Sequence, residues 1–230
     1  MIVSAMQTLV SQILTGASTN TKWNATTAVL PALNNAQLEF VHKAIAYSAG
    51  SDTIFDELGE LQASTSQSVN TTGYDLDGLA SSPGPFLYYV ASKITIDDTT
   101  RWVDRISFKD LDKQNNKYTA GCDEDPKCYI FTNTYFLLLT TGSYPVTATV
   151  YYIREPKELV ASGASGYQVT TCELKSAFHR LICKMAAAEC HRTAGDEYNF
   201  KKYESLMNEC EIQIQAIAKG TIAQPKGKAK

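Results

Sequence analysis

At 230 residues the chain can bury a core for one domain, or for a domain with a subdomain, and 21 basic against 24 acidic residues leave it at −3. That balance argues against wrapping nucleic acid through neutralised phosphates, which needs a basic face. No apolar run approaches the roughly 20 residues that span a bilayer, so no membrane partner is expected.

Val3, Met6, Leu9, Val10, Ile13 and Leu14 recur at three- and four-residue spacing, which predicts a helix over 3–15 that Gly16 stops. This N-terminus has no basic start, and Ser4, Gln7, Thr8, Ser11 and Gln12 interrupt its apolar residues. It reads as an amphipathic helix and not a signal peptide, so the chain is expected to be made and used in a cytoplasm. After Trp23, Thr26 or Thr27 can cap a second helix with Pro31 near its first turn. Leu30, Leu33, Gln37, Val41 and Ile45 carry its face to about Ser48, and Gly50 ends it.

Between Ser51 and Pro85 the composition turns to Ser, Thr, Gly, Asn and Asp. Residues 65–72 are almost wholly small and polar, so an exposed loop or arm is expected there. From Phe86 the pattern turns to β. Residues 86–90 and 93–97 read as strands, and 128–134, 135–141 and 146–153 read as stronger ones. Thr141-Gly142-Ser143-Tyr144-Pro145 supplies a turn that would make the last two a hairpin. Residues 102–107 suit a strand leading into a short helix over 108–114.

In the last third, Thr170-Thr171-Cys172-Glu173 fits a capping box, with Glu173 reaching back to the Thr170 cap. Leu174, Phe178, Leu181, Ile182 and Met185 form a stripe that runs to about Arg192. Gly195 ends that helix and Asp196 caps the next, whose stripe is Phe200, Tyr203, Leu206, Met207, Cys210, Ile214 and Ile217. The short connection makes the pair an antiparallel hairpin. From Lys219 the chain is basic, with Gly and Pro, and cannot hold structure alone.

The expected fold class is therefore α+β: a helical bundle with long antiparallel helices and an inserted antiparallel β subdomain. Its parts are N-terminal helices over 1–50, a polar arm over 51–85, a β-rich subdomain over 86–156, a helical hairpin over 170–218 and a flexible basic tail over 219–230.

Signals for chemistry are weak. His179 and Cys183 lie four apart on one helix and His191 follows Cys190, yet two further ligands are missing and no second pair has zinc-like spacing. Each Cys near a His sits on a buried-looking helix, which disfavours a Cys–His nucleophile. Cys122 and Cys128 flank Asp-Glu-Asp-Pro-Lys, where a loop-closing disulfide, half a metal site or two reduced thiols all remain open; reduced, structural cysteines are the ordinary reading. The acidic groups Asp97-Asp98, Asp110/Asp112 and Asp123-Glu124-Asp125 lie in polar, solvated segments. No phosphate loop, nucleophile elbow or His-Glu-x-x-His is present. No enzyme activity, cofactor or metal is expected. Among the aromatics of the β region, cross-strand core pairing is the plain reading and a contact surface the sharper one.

Three stretches carry a resemblance. Trp23, Leu30 and Leu33-Asn34-Asn35-Ala36-Gln37-Leu38-Glu39 form an early helix with an Asn-x-Ala-x-x-Glu flavour. Thr149–Pro156 closes a strand with Tyr151-Tyr152 and exits through Pro156. Leu174–Arg192, Gly195-Asp196-Glu197 and Tyr203 form an Ala-rich final helix pair. Together they resemble the head-to-tail adaptor (connector, or head-completion) proteins of tailed bacteriophages, as an order of elements over most of the chain. The polar insert 51–85 and the Cys122–Cys128 loop have no counterpart in that pattern. The resemblance implies a structural virion protein of the neck, assembled in the host cytoplasm: a ring of about twelve copies under the portal protein that extends the DNA channel and carries the tail or a further neck ring. Double-stranded DNA would pass without sequence-specific binding, as a negative lumen favours. Lys219, Ile222, Pro225, Lys226, Lys228 and Lys230 would contact the portal or a neighbouring subunit. Alternatives are another tail-completion ring, or a small cytosolic binding module.

Overall fold

The helical periodicities at the two ends of the chain become helices, and the stretch between them becomes sheet. The structure, a computed structural model, describes residues 1–15, 23–48, 53–77, 84–115, 121–139, 145–194 and 197–220. Gly16, Gly50, the 141–144 turn, Gly195-Asp196 and all of the basic tail beyond Gly220 lie outside the described residues. The chain divides into two units, Met1–Leu61 with Pro156–Lys230, and Gln62–Glu155.

In the first unit, α1 (Val3–Thr15) buries Val3, Met6, Val10 and Leu14. A π turn (Ala25–Val29) then leads into α2 (Leu30–Ser48). Asn24, not Thr26 or Thr27, is the cap: its Oδ1 accepts from Thr26 N at 2.8 Å and Thr27 N at 3.1 Å. A short α3 (Thr53–Glu57) is held by the Lys175 ammonium, which donates to Asp56 O at 2.8 Å and pairs with Glu57 at 3.2 Å. Helices α4 (Ser176–Ala194) and α5 (Glu197–Ala218) follow. They run antiparallel, since Lys184 meets Glu209 while His191 meets Asn199. Between the helices lies a two-residue parallel pair, β9 (Glu158–Leu159) and β10 (Gln168–Val169).

Helix α4 is the centre of this unit. It touches α1, α2 and α5, and Phe178, Leu181, Ile182, Cys183, Met185, Ala186, Ala187, Ala188 and Cys190 are all buried. The three consecutive alanines leave room for neighbours along the middle of the helix, while Ser176, Ala177, Arg180, Arg192 and Thr193 face water. Phe40 of α2 packs on Phe178, ring centres 5.0 Å apart.

The second unit holds β1 (Gln62–Val69), β2 (Tyr74–Asp75), β3 (Phe86–Ile96), β4 (Thr99–Trp102), β5 (Asp104–Arg105), β6 (Lys127–Phe131), β7 (Thr134–Leu138) and β8 (Val146–Arg154). Two four-stranded sheets form, ordered β1-β8-β3-β4 and β2-β7-β6-β5. Val69, Tyr89, Ile94, Ala148, Val150 and Tyr152 from one sheet share a core with Cys128, Tyr135 and Leu137 from the other. Two tight turns close hairpins: Asp97-Asp98 joins β3 to β4, and Thr132-Asn133 joins β6 to β7. All four residues have positive φ (46–59°), as a type I′ turn requires.

The expected helical bundle with long antiparallel helices and an inserted antiparallel β subdomain is corrected by this architecture. Among the described residues about 28% is strand, spread over three sheets, no long antiparallel bundle is evident, and the fold is α+β overall. The β structure is not purely antiparallel either, because β5 pairs β6 and β10 pairs β9 in parallel. Helix periodicity reports one buried face and says nothing about how many helices share it; here a single central helix gathers the rest.

Local expectations shift too. Residues 65–72, expected as a loop, mostly join β1, whose eight residues all pair with β8 from Gln62↔Ile153 to Val69↔Val146. The expected hairpin of 135–141 with 146–153 does not form: β7 pairs β6 and β2, while β8 lies between β1 and β3. The segment after Trp102 is the short β5 followed by a 3-10 turn over Phe108–Asn115.

Candidate functional site

The groups best suited to chemistry are the cysteines and histidines, and the fold satisfies or shields most of them. All six cysteines are free thiols, and all but Cys122 are buried. Burial pushes the Cys183 thiol up to about 12 and those of Cys190 and Cys210 up to about 11. A thiol held protonated is a poor nucleophile and a poor metal ligand. On β6 Cys128 points into the core, raised by burial, while Cys122 accepts from Asp125 N at 3.3 Å.

His179 is 2% exposed and placed between Leu174 O, 2.7 Å from Nε2, and the Met1 amine, 3.0 Å from Nδ1. Burial, then the nearby ammonium, hold its pKa below the usual value. His191 bonds Asn199 Oδ1 through Nδ1 at 2.7 Å and meets Trp23 edge-on at 5.6 Å. Among the described residues no three His, Cys, Asp or Glu side chains gather as a metal site. His42 lines a shallow cleft of about 340 Å³ with Asn35, Glu39 and Arg192. Glu189 also borders this cleft, and its carboxylate is held by the Arg192 guanidinium, Nε donating at 2.7 Å.

A second constellation is built on backbone. On α2, Asn34 faces β9 and acts as a strand in miniature: Nδ2 donates to Leu159 O at 3.1 Å, while Oδ1 accepts from Leu159 N at 2.7 Å. One turn later Gln37, 2% exposed, donates to Lys157 O at 2.8 Å and to Asn34 Oδ1 at 3.2 Å. From the other side Glu173 accepts from Lys157 N at 3.1 Å and pairs with its ammonium at 3.4 Å. The capping box expected at Thr170–Glu173 is thereby corrected. Helix α4 starts only at Ser176, and the Glu173 carboxylate is committed to Lys157 instead. A local motif lost to a non-local partner because a charged donor and a backbone amide together outweigh one cap. Asn34 and Gln37, the segment after Pro156 and Glu173 thus meet at one clamp; the first two lie inside a stretch that carries the resemblance, while Lys157 and Glu173 flank the other two.

The third feature is exposed aromatic surface. The core reading fits Tyr89, Tyr135 and Tyr152, all 4% exposed or less, whereas Trp102 is 65% exposed, Phe108 53% and Phe131 49%. On the outer face of the β2-β7-β6-β5 sheet, Phe108 stacks on Phe131 at 4.8 Å and Tyr129 on Phe136 at 4.8 Å. On the other sheet, Trp102 leans on Tyr151 at 5.8 Å, beneath the Lys93 ammonium. In the first unit, the stripe expected on α5 is only partly covered. Cys210 and Ile214 are buried, but Phe200 is half exposed and Tyr203, Leu206, Met207 and Ile217 are half-buried.

Of the residues expected to meet a partner, Lys219 lies exposed just past α5, its amide bonded to Gln215 O at 3.0 Å. Ile222, Pro225, Lys226, Lys228 and Lys230 lie outside the described residues. Among the described residues no helix is long and apolar enough to cross a membrane. No known family matches the chain, and no curated protein matches it in sequence.

Proposed function

We propose that the chain is a structural protein of a tailed-bacteriophage neck: an adaptor subunit that assembles as a ring, of about twelve copies, beneath the portal. One observation carries the reading. The early helix that resembles the adaptors' meets, through Asn34 and Gln37, the residues that directly follow the Pro156 exit, and Glu173, which directly precedes the final helix pair, closes the same clamp on Lys157. Such a clamp fixes the path of residues 157–159 against α2 within the helical unit, which a ring component must repeat identically in every copy. The exposed aromatics Trp102, Phe108, Phe131 and Phe200 supply area of the kind that neighbours in an assembly cover. In this reading the basic segment from Lys219, with Ile222, Pro225, Lys226, Lys228 and Lys230, engages the portal or the adjoining subunit. The ring extends a channel through which DNA passes without base contacts, and its far side receives the tail. No bond-making step is assigned.

Native mass spectrometry with and without a candidate portal ring tests this. A discrete complex with one adaptor chain per portal chain is expected, and removal of 219–230 weakens it. A chain that stays alone beside an intact portal ring rejects the adaptor role.

A further inference from the structure

We propose that the outer edge of β1 pairs with the β1 strand of a second copy of this chain, joining two four-stranded sheets through a dyad. The proposal does not rest on the neck reading, since the dyad joins two copies whatever larger assembly they enter.

Strand β1 is an edge strand: β8 is the one strand that pairs with it among the described residues. Among the described residues no backbone bond leaves 63–69 on the other side. Roughly half of the N–H and C=O groups of an antiparallel edge strand point away from its neighbour. Protein edges are ordinarily blunted by lysine, proline, a bulge or short length. The opposite edge of the same sheet follows that rule, because β4 has four residues and its Arg101 guanidinium bonds Asp123 O. Strand β1 has none of these devices. It runs eight residues, Gln-Ala-Ser-Thr-Ser-Gln-Ser-Val, in unbroken register with β8.

Its chemistry selects the partner. With no formal charge in β1, an acidic or basic peptide gains nothing from its side chains, while a second β1 meets it without like-charge opposition. A dyad perpendicular to the sheet keeps the exposed residues Gln62, Ser64, Ser66 and Ser68 on one face and sets them opposite one another. Centred on Thr65, it places Ser64 against Ser66 of the second copy; centred on Ser66, it places Ser66 against itself. Small hydroxyl and amide side chains hydrogen-bond across such pairs. The joined sheet then reads β4-β3-β8-β1 followed by β1-β8-β3-β4, antiparallel throughout.

Sedimentation velocity of the full chain tests this with two double variants on the exposed face, Ser64→Lys/Ser66→Lys and Ser64→Glu/Ser66→Glu. In either register the variants place like charges opposite each other. Wild type is expected at twice the 25.2 kDa chain mass or an even multiple of it. Each double variant alone should self-associate roughly tenfold more weakly or worse. An equimolar mixture of the two should restore pairing. Amide exchange of wild type should show protection of 63–69 that grows with protein concentration. A monomeric wild type, an odd-numbered assembly, an assembly unchanged by the lysine pair, a mixture that fails to recover, or concentration-independent exchange at 63–69 each overturns the proposal.

Discussion

The helical unit and the β unit each bury polar groups, but the clamp of the first and the hydroxyl cluster of the second do so differently. In the helical unit the amides of Asn34 and Gln37 reach sideways to the backbone of an extended segment, Asn34 from the half-buried rim and Gln37 from just beneath it. The β unit puts hydroxyls in its centre instead: Ser92, with no exposure, lies 2.9 Å from both Tyr89 and Tyr135, and Tyr89 lies 3.4 Å from the Cys128 thiol. Burial pushes both phenols far above their usual pKa, so they stay neutral. A rim contact that is lost can be replaced by water, whereas a partner lost from a closed core leaves an orphan. Position within the fold, more than the number of bonds, sets what each polar group contributes.

The largest expected effect ignores polarity and sets the scale. Phe40→Ala empties a fully buried site against Phe178 and should destabilise the helical unit by about 3–5 kcal/mol, read from the denaturant midpoint. Next, Ser92→Ala takes from two buried phenols their shared hydroxyl partner, leaving them only the weakly bonding Cys128 thiol, and should cost about 1–3 kcal/mol. The triple change Ser92→Ala, Tyr89→Phe, Tyr135→Phe should cost less than Ser92→Ala alone, since the poorly partnered hydroxyls go as well. A triple variant less stable than the single one would break the contrast drawn above. Asn34→Ala, at the rim, should cost about 1 kcal/mol, and Asn34→Asp should restore at most the bond from Leu159 N.

The smallest effect is one of pH. Burial keeps the His179 pKa below its unfolded value of about 6.5, so the folded state binds its proton less readily than the unfolded chain does. Its contribution is complete above that unfolded value and is lost as pH falls through it toward the depressed folded value. Urea midpoints at pH 7.5 and pH 5 should therefore differ more in wild type than in His179→Gln. Equal differences would remove His179 as the source.

Several elements were legible in advance because their signals are local. Val3, Met6, Val10 and Leu14 spell the buried face of α1, and Phe178, Leu181, Ile182 and Met185 that of α4. The β-branched and aromatic run of 146–153 announces β8 as a strand. The clamp was half visible: Asn34, Gln37 and Glu173 stood out, but a capping box was the nearest local use for Glu173. Its real partner lies sixteen residues back and meets it only after the chain turns at β9 and β10.

Sequence alone determined where helix and strand propensities lie, how little charge imbalance there is, and that no motif for chemistry stands out. These follow from side-chain volume, branching and charge, which each residue carries with it. Tertiary structure decided that α4 packs against α1, α2 and α5, that β7 and β8 belong to different sheets, and that the polar run 62–69 is a strand at all. Strand β1 has no apolar alternation to report; the ladder offered by β8 makes it a strand, and a ladder exists only once two distant segments have met.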